Sequence, residues 1–200
     1  YVTIGSLQSV SLNLPRYAYL AGEEDEYFSI LDEKMELCAR ILRKKWALIE
    51  KRLDSGHLPL CSGTIDGESI FKLEDQNLSI GFTGLNEAVQ SLTGEELHES
   101  ESAFKLGRRI LEYMVAKCNS MTERDGYSYS LWEQPAESTA NRLARLDLKH
   151  FPKKAIPQSN GTSAYYTNSS HLRYDANIGL SERIQKQGNF HPIVSGGVIT

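Results

Sequence analysis

Residues 134–147, QPAESTANRLARLD, bring a proline and two hydroxyl groups to the start of a predicted helix. Pro135 suits the first turn of a helix, because its missing N–H would have no partner there. Ser138 and Thr139 stand where a hydroxyl group caps a helix or binds a ligand. The free amides and the positive end of the helix dipole attract anions such as phosphate. Two interpretations stay open at 136–139: an ordinary capped helix or an anion site.

One residue of this stretch opposes an anion site. Glu137 carries a negative charge into the first turn, where it would repel a phosphate. Its carboxylate must therefore point away from the helix start, be neutralised by a neighbour, or act as the cap itself.

The stretch GFTGLNEA is a second candidate for a functional loop. Gly81 and Gly84 flank the end of a predicted strand, and glycine permits backbone conformations and close approaches that a Cβ forbids. Asn86 and Glu87 fall at the start of the next helix. A tight loop that lines a pocket and a simple turn into a capped helix are both compatible with this pattern.

Arg16 follows the first predicted strand, close to Asn13. A guanidinium group at this position can bind a carboxylate or a phosphate as a two-pronged fork. The commoner alternative is a structural ion pair within the protein.

His171 adjoins Ser169 and Ser170, a combination of residue types that also occurs in hydrolases. A hydrolase positions its base on the nucleophile by folding, and adjacency in sequence does not achieve this. The chain also lacks a G-x-S-x-G motif. The sequence therefore disfavours a hydrolytic triad.

The cysteines and histidines show no pattern of a metal or disulfide site. Cys38, Cys61 and Cys118 lie far apart without a CxxC pair, and an odd, sparse count suits a reducing compartment. Cys38 and Cys118 fall on the apolar stripes of two predicted helices and are expected in the core, whereas Cys61 falls in a loop. The five histidines lack metal-ligand spacing, so we expect no metal site in this chain.

Length and composition are those of an ordinary globular chain. It has 200 residues, with 24% charged and 40% hydrophobic residues and a formal net charge of −4. This weak negative charge does not recruit nucleic acid or an anionic membrane. The chain has no apolar run of about 18 residues and no signal-peptide pattern. We expect neither a nucleic-acid nor a membrane partner, and a cytoplasmic location.

Periodicity predicts the elements that position these candidates. A strand with period two is predicted at 7–14 and ends at Pro15. The longest predicted helices cover 24–54 and about 100–122, each with one apolar stripe. The remaining predictions are a hairpin near 70–73, a strand, glycine turn and short helix at 78–94, a strand at 126–134, the helix that starts near 135, a strand or loop at 162–172, a helix at 180–188 and a last strand at the chain end.

Strands that alternate with helices of this length indicate an α/β fold with largely parallel strands. Such sheets bind ligands at the carboxyl ends of their strands. The three junctions at 14–24, 82–87 and 132–140 are therefore expected at one edge of the sheet. Because the chain starts at Tyr1 and ends in GGVIT, which has the pattern of a strand cut short, we also expect a fragment of a longer protein.

Five stretches, spanning nearly the whole chain, together resemble one family, the anaerobic class III ribonucleoside-triphosphate reductases, which are glycyl-radical enzymes. In order they are LQSVSLNLPRYAY, SIGFTGLNEAVQSLTG, EQPAESTANRLARLD, YYTNSSHL and GNFHPIVSGGVI. SIGFTGLNEA also resembles the Ile-Gly-x-x-Gly-Leu stretch of aerobic reductases, and PAEST resembles their Pro-Thr-Ala-Ser-Thr loop, which holds substrate phosphates. The resemblance favours phosphate binding at 136–139.

The resemblance implies both a fold and a reaction. The fold is a ten-stranded α/β barrel of two five-stranded, largely parallel halves, and residues 1–200 would supply most of the second half as a single segment with long flanking helices. The reaction converts ribonucleoside triphosphates to deoxyribonucleoside triphosphates. A glycyl radical generates a thiyl radical on a cysteine, the thiyl abstracts the 3′ hydrogen, water leaves from C2′, and formate or a thiol supplies electrons.

The resemblance also implies cofactors and partners. An iron–sulfur activase that uses S-adenosylmethionine installs the radical, and the full-length enzyme would be a homodimer with nucleotide-binding regulatory parts and a structural metal site elsewhere. The thiyl cysteine is expected upstream of Tyr1 and the glycyl-radical segment downstream of Thr200. No cysteine of this chain falls in a family radical motif, so we expect no catalytic residue, metal or cofactor in it, and no activity from it alone.

The predicted substrate contacts follow from the matching motifs. Phosphates are expected over 136–139, and the ribose near Ser6 and the 84–87 loop, although many relatives have an asparagine near the position of Ser6. The complete predicted set is Ser6, Asn86, Glu87, Ala136, Glu137, Ser138 and Thr139. Two alternatives stay open: another glycyl-radical enzyme that acts on a small acid or alcohol, and a non-catalytic α/β relative.

Overall fold

The computed structural model describes residues 5–159 and 161–194. It contains both strands and helices, and a helix follows each strand of its parallel sheet, as predicted. In chain order they are β1 (Ser6–Asn13), α1 (Leu14–Leu20), α2 (Glu24–Asp54), β2 (Thr64–Ile65), β3 (Glu68–Ser69), β4 (Asn77–Thr83), α3 (Leu85–Thr93), α4 (Glu101–Asp125), β5 (Tyr129–Trp132), α5 (Glu137–His150), β6 (Gln158–Ser159), β7 (Ala164–Tyr165) and α6 (Leu180–Gly188).

A three-stranded parallel sheet, in the order β1-β4-β5, organises the fold. The central strand β4 is buried on both faces from Leu78 to Thr83, as expected of a covered parallel strand. Asn13 pairs with Thr83, and Gly81 pairs with Trp132. The carboxyl ends of all three strands therefore meet at one edge, and the predicted grouping of the three junctions is confirmed.

The core lies between the sheet and the long helices α2 and α4, which contact the sheet and each other. Leu31 and Met35 of α2 are fully buried, as are Leu111 and Met114 of α4. Each large apolar side chain that is buried in this way contributes about 1.5–3 kcal/mol to stability. The two predicted stripes are confirmed, although the stripe of α2 is fully buried only as far as Leu42.

The sequence did not predict α1, the short helix directly after β1. Pro15 occupies its first turn and so begins a helix after the strand ends. Five of the seven residues of α1 are buried, so its sequence lacks the contrast between an apolar and a polar face that identifies a helix.

The predicted hairpin near 70–73 is wrong, because the hairpin is formed by β2 and β3 at 64–69. Asp66 and Gly67 turn the chain with positive φ angles of 53° and 83°. Both angles are positive in a type I′ turn, for which Asp-Gly is a preferred sequence. The Asp66–Gly67 pair was the turn signal in the sequence. The apolar pair Ile70–Phe71 instead favoured the incorrect position near 70–73.

The described residues form part of the predicted architecture. They contain three parallel strands and the two small antiparallel pairs β2–β3 and β6–β7. The predicted ten-stranded barrel extends beyond these strands and stays a prediction, and the predicted last strand lies outside the described residues. Within 5–159 and 161–194, no helix is both long and apolar enough to cross a membrane.

Candidate functional site

The start of α5 is uncapped. Ala136 occupies the N-cap position, and no side chain accepts a hydrogen bond there. Ala140 N donates to Ala136 O over 2.7 Å, but the amides of Glu137, Ser138 and Thr139 donate to no other residue in the described part of the chain. The capped-helix interpretation is therefore wrong, and three convergent amides are left for a ligand.

Pro135 lies two residues before α5 and not in its first turn, which corrects the predicted helix start. It belongs to the extended exit from β5. A proline cannot donate to a ladder, and it restricts the preceding residue to extended conformations. The helix consequently begins only at Glu137.

Gln134 fixes the path of this exit. Its main-chain N–H donates to Ser169 Oγ over 3.0 Å, and its side chain bonds to Ser9 and to Ser11 of β1. A Cβ on Gly81 would lie 2.7 Å from Gln134 Oε1, so a larger residue here would displace the Gln134 side chain from its present position. The exit from β5 is therefore bound to both β1 and the loop after β7.

Two adjoining cavities open at this edge of the sheet. The smaller has a volume of about 210 Å³ and adjoins the start of α5, and the larger has a volume of about 410 Å³. Both are bordered by Glu137, Asn168 and His171. The smaller is also lined by Glu133, Gln134, Pro135 and Ser169, and the larger by Ala140, Asn141, Ser163, Tyr165, Tyr166, Thr167, Leu172 and Tyr174.

Glu137 borders both cavities and is exposed. Asn168 Nδ2 donates to Glu137 Oε1 over 3.5 Å, and no cation pairs with the carboxylate within the described residues. Of the three roles predicted for Glu137, capping is wrong. A carboxylate without a cationic partner beside the open amides lowers their affinity for an anion, because like charges repel.

Asn86 and Glu87 are fully buried and line neither cavity. Asn86 Nδ2 donates to Glu96 Oε2, and Leu97 N donates to Asn86 Oδ1, each over 3.1 Å. The carboxylate of Glu87 accepts hydrogen bonds from the main chain and the hydroxyl of Thr167. The predicted substrate contacts of Asn86 and Glu87 therefore find no support in this geometry.

Ser6 begins β1 and lies at the opposite end of the sheet from 136–139. It is exposed, and its hydroxyl contacts Ser79 Oγ at 2.7 Å. Trp132 is level with Ser11 in the sheet, five residues further along β1 than Ser6, which is roughly 17 Å at 3.3 Å per residue. The structure does not bring Ser6 together with 136–139.

Arg16 forms the structural ion pair that was the commoner of its two interpretations. Its Nε donates to Asp147 Oδ1 over 2.6 Å, and Asp147 is fully buried. Asn13 and Tyr166 donate to the second oxygen of the same carboxylate over 2.8 Å and 2.9 Å. Arg16 is therefore not free to bind a ligand.

The sequence analysis missed Glu133, a carboxylate only 5% exposed at the end of β5. Its two oxygens contact Ser170 Oγ and His191 Nδ1. A charged residue directly after an apolar strand and before Gln-Pro was the signal that could have identified it. Ser170 donates to this carboxylate and not to a histidine, so the Ser–His contact of a hydrolytic triad is not formed here.

Cys38 and Cys118 lie in the core, as predicted, and burial raises the pKa of each thiol to about 12. Cys61 is partly exposed. Among residues 5–159 and 161–194, no three side chains of His, Cys, Asp or Glu form a group that could hold a metal ion.

Comparison with known proteins identifies a family over the whole length. The family model described as anaerobic ribonucleoside-triphosphate reductase matches residues 1–200. The reductase of Salmonella typhimurium is 29% identical over 97% of this chain, and that of enterobacteria phage T4 is 29% identical over 98%. The chain spans 28% and 32% of the length of these two relatives.

Solved structures agree with the family match. The anaerobic ribonucleotide reductase from Thermotoga maritima with glycerol in its active site superposes with a TM-score of 0.82 and 26% identity, over 99% of this chain and 32% of that one. The structure of the same enzyme in complex with dATP and CTP gives a TM-score of 0.79 at 26% identity, over 96% of this chain and 31% of that one. The fold and the sequence thus point to the same family.

Proposed function

Because this chain belongs to the anaerobic ribonucleoside-triphosphate reductase family, we propose that it forms part of the substrate pocket of an enzyme that converts ribonucleoside triphosphates to deoxyribonucleoside triphosphates. The triphosphate binds to the amides of Glu137, Ser138 and Thr139. The observation that carries the proposal is that these three amides have no partner among the described residues, and that Glu137, the first of the three, lines a 210 Å³ cavity.

The physical case rests on charge and direction. Amides at a helix start point along the axis toward the ligand and carry the positive end of the dipole, which favours an anion by about 0.3–1 kcal/mol at an exposed site. The hydroxyls of Ser138 and Thr139 add donors, since neither is used as a helix cap. Glu137 lowers the affinity, so the proposal requires that the three amides and two hydroxyls together contribute more than its repulsion removes.

In this proposal, parts of the enzyme outside this segment carry out the radical chemistry. Cys38 and Cys118 are buried with raised pKa values, so neither fits the place of a thiyl radical that must meet a substrate. The thiyl cysteine, the glycyl radical, the activase contact and the remaining strands of a ten-stranded barrel are contributed by parts of the enzyme outside 1–200. This segment binds and orients the triphosphate end of the substrate.

Replacement of both Ser138 and Thr139 by alanine tests the anion site. In the full-length natural chain, the double variant should bind ribonucleoside triphosphate about 1–3 kcal/mol more weakly, because charge-assisted hydrogen bonds are lost. The matched control is Ser181→Ala, which removes an exposed hydroxyl from the same position of α6. Calorimetric titration that gives equal affinities for all three proteins would contradict hydroxyl-assisted phosphate binding at 136–139.

Activity tests the wider proposal. The full-length natural chain, after treatment with its activase and S-adenosylmethionine under anaerobic conditions, should form deoxyribonucleotide from a ribonucleoside triphosphate. Absence of product from a chain that carries the glycyl radical would contradict the proposed reaction.

A further inference from the structure

Glu133 connects three chain segments at the edge of the sheet where α5 begins. One carboxylate oxygen accepts a hydrogen bond from Ser170 Oγ, and the other lies 2.6 Å from His191 Nδ1. Ser170 belongs to the loop after β7, and His191 belongs to the turns after α6. A single buried side chain therefore holds the exit from β5 against two segments that are distant in sequence.

Burial of the Glu133 carboxylate reduces the stability of the fold unless its charge is compensated. Its side chain is 1% exposed, and no lysine or arginine pairs with it in the part of the chain that the structure describes. A buried carboxylate costs several kcal/mol unless hydrogen bonds and charge compensate it, and apolar residues of similar size often stabilise a protein as well or better. Packing alone therefore does not account for a glutamate here.

The location of Glu133 supplies a reason. It lines the 210 Å³ cavity and precedes the open amides of α5 by four residues. Directly beside its bond to Ser170, the main-chain N–H of Gln134 donates to Ser169 Oγ over 3.0 Å. Two consecutive residues of the strand exit are thus bonded to two consecutive serines of the loop.

This double link holds a loop that lines the cavity. Ser169 and its neighbour Asn168 line the cavity together with Glu137, and Asn168 Nδ2 donates to Glu137 Oε1 over 3.5 Å. Because the loop and the first residue of α5 line the same cavity, a shift of the loop would change the space that a phosphate at the start of α5 can occupy. Small displacements of this kind reduce affinity strongly, because hydrogen bonds weaken quickly with distance and angle.

We propose that Glu133 is a positioning residue for the triphosphate, which acts through Ser170 and His191 by holding the 168–171 loop at a fixed distance from the amides of α5. The inference rests on the proposed function, since it assumes that an anion binds at 136–139. Glu133 itself makes no contact with the phosphates, which its own charge would repel.

The test is amide hydrogen exchange at 137–139 in the full-length natural chain, titrated with inorganic tripolyphosphate. This local readout separates the site from any nucleotide site elsewhere in the chain. Glu133→Gln should raise the dissociation constant at these amides about tenfold, which corresponds to the loss of a hydrogen bond to a charged group. Ser170→Ala, which breaks the loop side of the link and leaves the carboxylate in place, should raise it in the same direction.

The control is Glu96→Gln, which changes a carboxylate that is equally buried, at 2% exposure, and that lines neither cavity. It should lower the melting temperature and leave the dissociation constant unchanged. If Glu133→Gln and Ser170→Ala lower only the melting temperature, as this control does, Glu133 is merely structural and the inference is overturned. If the wild-type amides gain no protection from tripolyphosphate, the proposed function itself fails.

Discussion

Glu87 shows at the scale of one residue how burial changes a carboxyl group. Desolvation raises its pKa from 4.5 to about 7, although hydrogen bonds from Thr167 and Gln158 act in the opposite direction. The side chain is fully buried and connects α3 to the segment between β7 and the 168–171 loop. The protonation state of Glu87 therefore affects how firmly that segment is held.

The pKa of Glu87 predicts a pH dependence of stability. Between pH 4.5 and about 7 the folded state binds more protons than the unfolded state, so stability falls as the pH rises through this window. The full difference is on the order of 3 kcal/mol, present below pH 4.5 and lost above pH 7. Hydrogen exchange at Thr167, whose amide donates to Glu87, should report an opening free energy that decreases from pH 5 to pH 8.

Glu87→Gln provides the control for this prediction. Glutamine is uncharged at every pH and resembles the protonated acid in size and in its carbonyl acceptor. The variant should keep the opening free energy at Thr167 nearly constant over the same pH range. An equally steep pH dependence in the variant would assign the effect to another group.

At the scale of elements, the junction between β4 and α3 depends on one glycine. Gly84 has a φ of 77°, and a Cβ at this position would collide with the ring of Pro15 in α1. Gly84→Ala should therefore destabilise the protein by about 2–5 kcal/mol, the sum of the left-handed backbone cost and overpacking. Urea unfolding followed by circular dichroism measures the change.

Gly94 offers a matched comparison within the same helix. It ends α3 with a φ of 85°, but no atom lies within 4 Å of a Cβ built there. Gly94→Ala should cost only the backbone term of about 1–2 kcal/mol. Equal losses for the two variants would show that the contact with Pro15 does not contribute.

Elements with one-sided burial could be predicted from the sequence, and others could not. α2 and α4 place their apolar residues on one stripe, and their predicted bounds agree with the structure within a few residues. α1 is buried almost all round, so it shows no such stripe. The edge that gathers the three junctions was predictable as well, because parallel strands in an α/β order impose it.

The candidate site was predictable only in part, for physical reasons. The local sequence located the helix start and left both a cap and an anion site open at 136–139, because the N-cap residue depends on the path of the chain after Pro135. The sequence marks Glu133 as a charged residue directly after an apolar strand, but its partners were not predictable, because Ser170 and His191 are 37 and 58 residues away. The positions of Asn86 and Glu87 depended on tertiary packing in the same way.

At the scale of the whole molecule, polar groups connect α5 to the rest of the fold. No residue of α5 belongs to the main apolar core. Asp147 of α5 is 0% exposed and receives hydrogen bonds from Asn13 at the end of β1, from Arg16 in α1 and from Tyr166 after β7. A second small core around Tyr19, Ala140, Ala144 and Tyr166 surrounds this carboxylate. These bonds connect the C-terminal half of α5 to β1, to α1 and to the segment after β7, and we expect them to fix the orientation of α5 and of its open amides.

This arrangement predicts the effect of Asp147→Asn. The amide keeps the size of the side chain but leaves Arg16 without its counter-charge and places an NH₂ group among donors. Because Arg16 remains 32% exposed, water compensates part of the loss, and we expect a destabilisation of about 2–4 kcal/mol. Glu33→Gln, which breaks the exposed pair with Lys34, should leave urea unfolding unchanged. If Asp147→Asn also leaves urea unfolding unchanged, then apolar contacts orient α5, and the Asp147–Arg16 pair does not influence the direction of the amides.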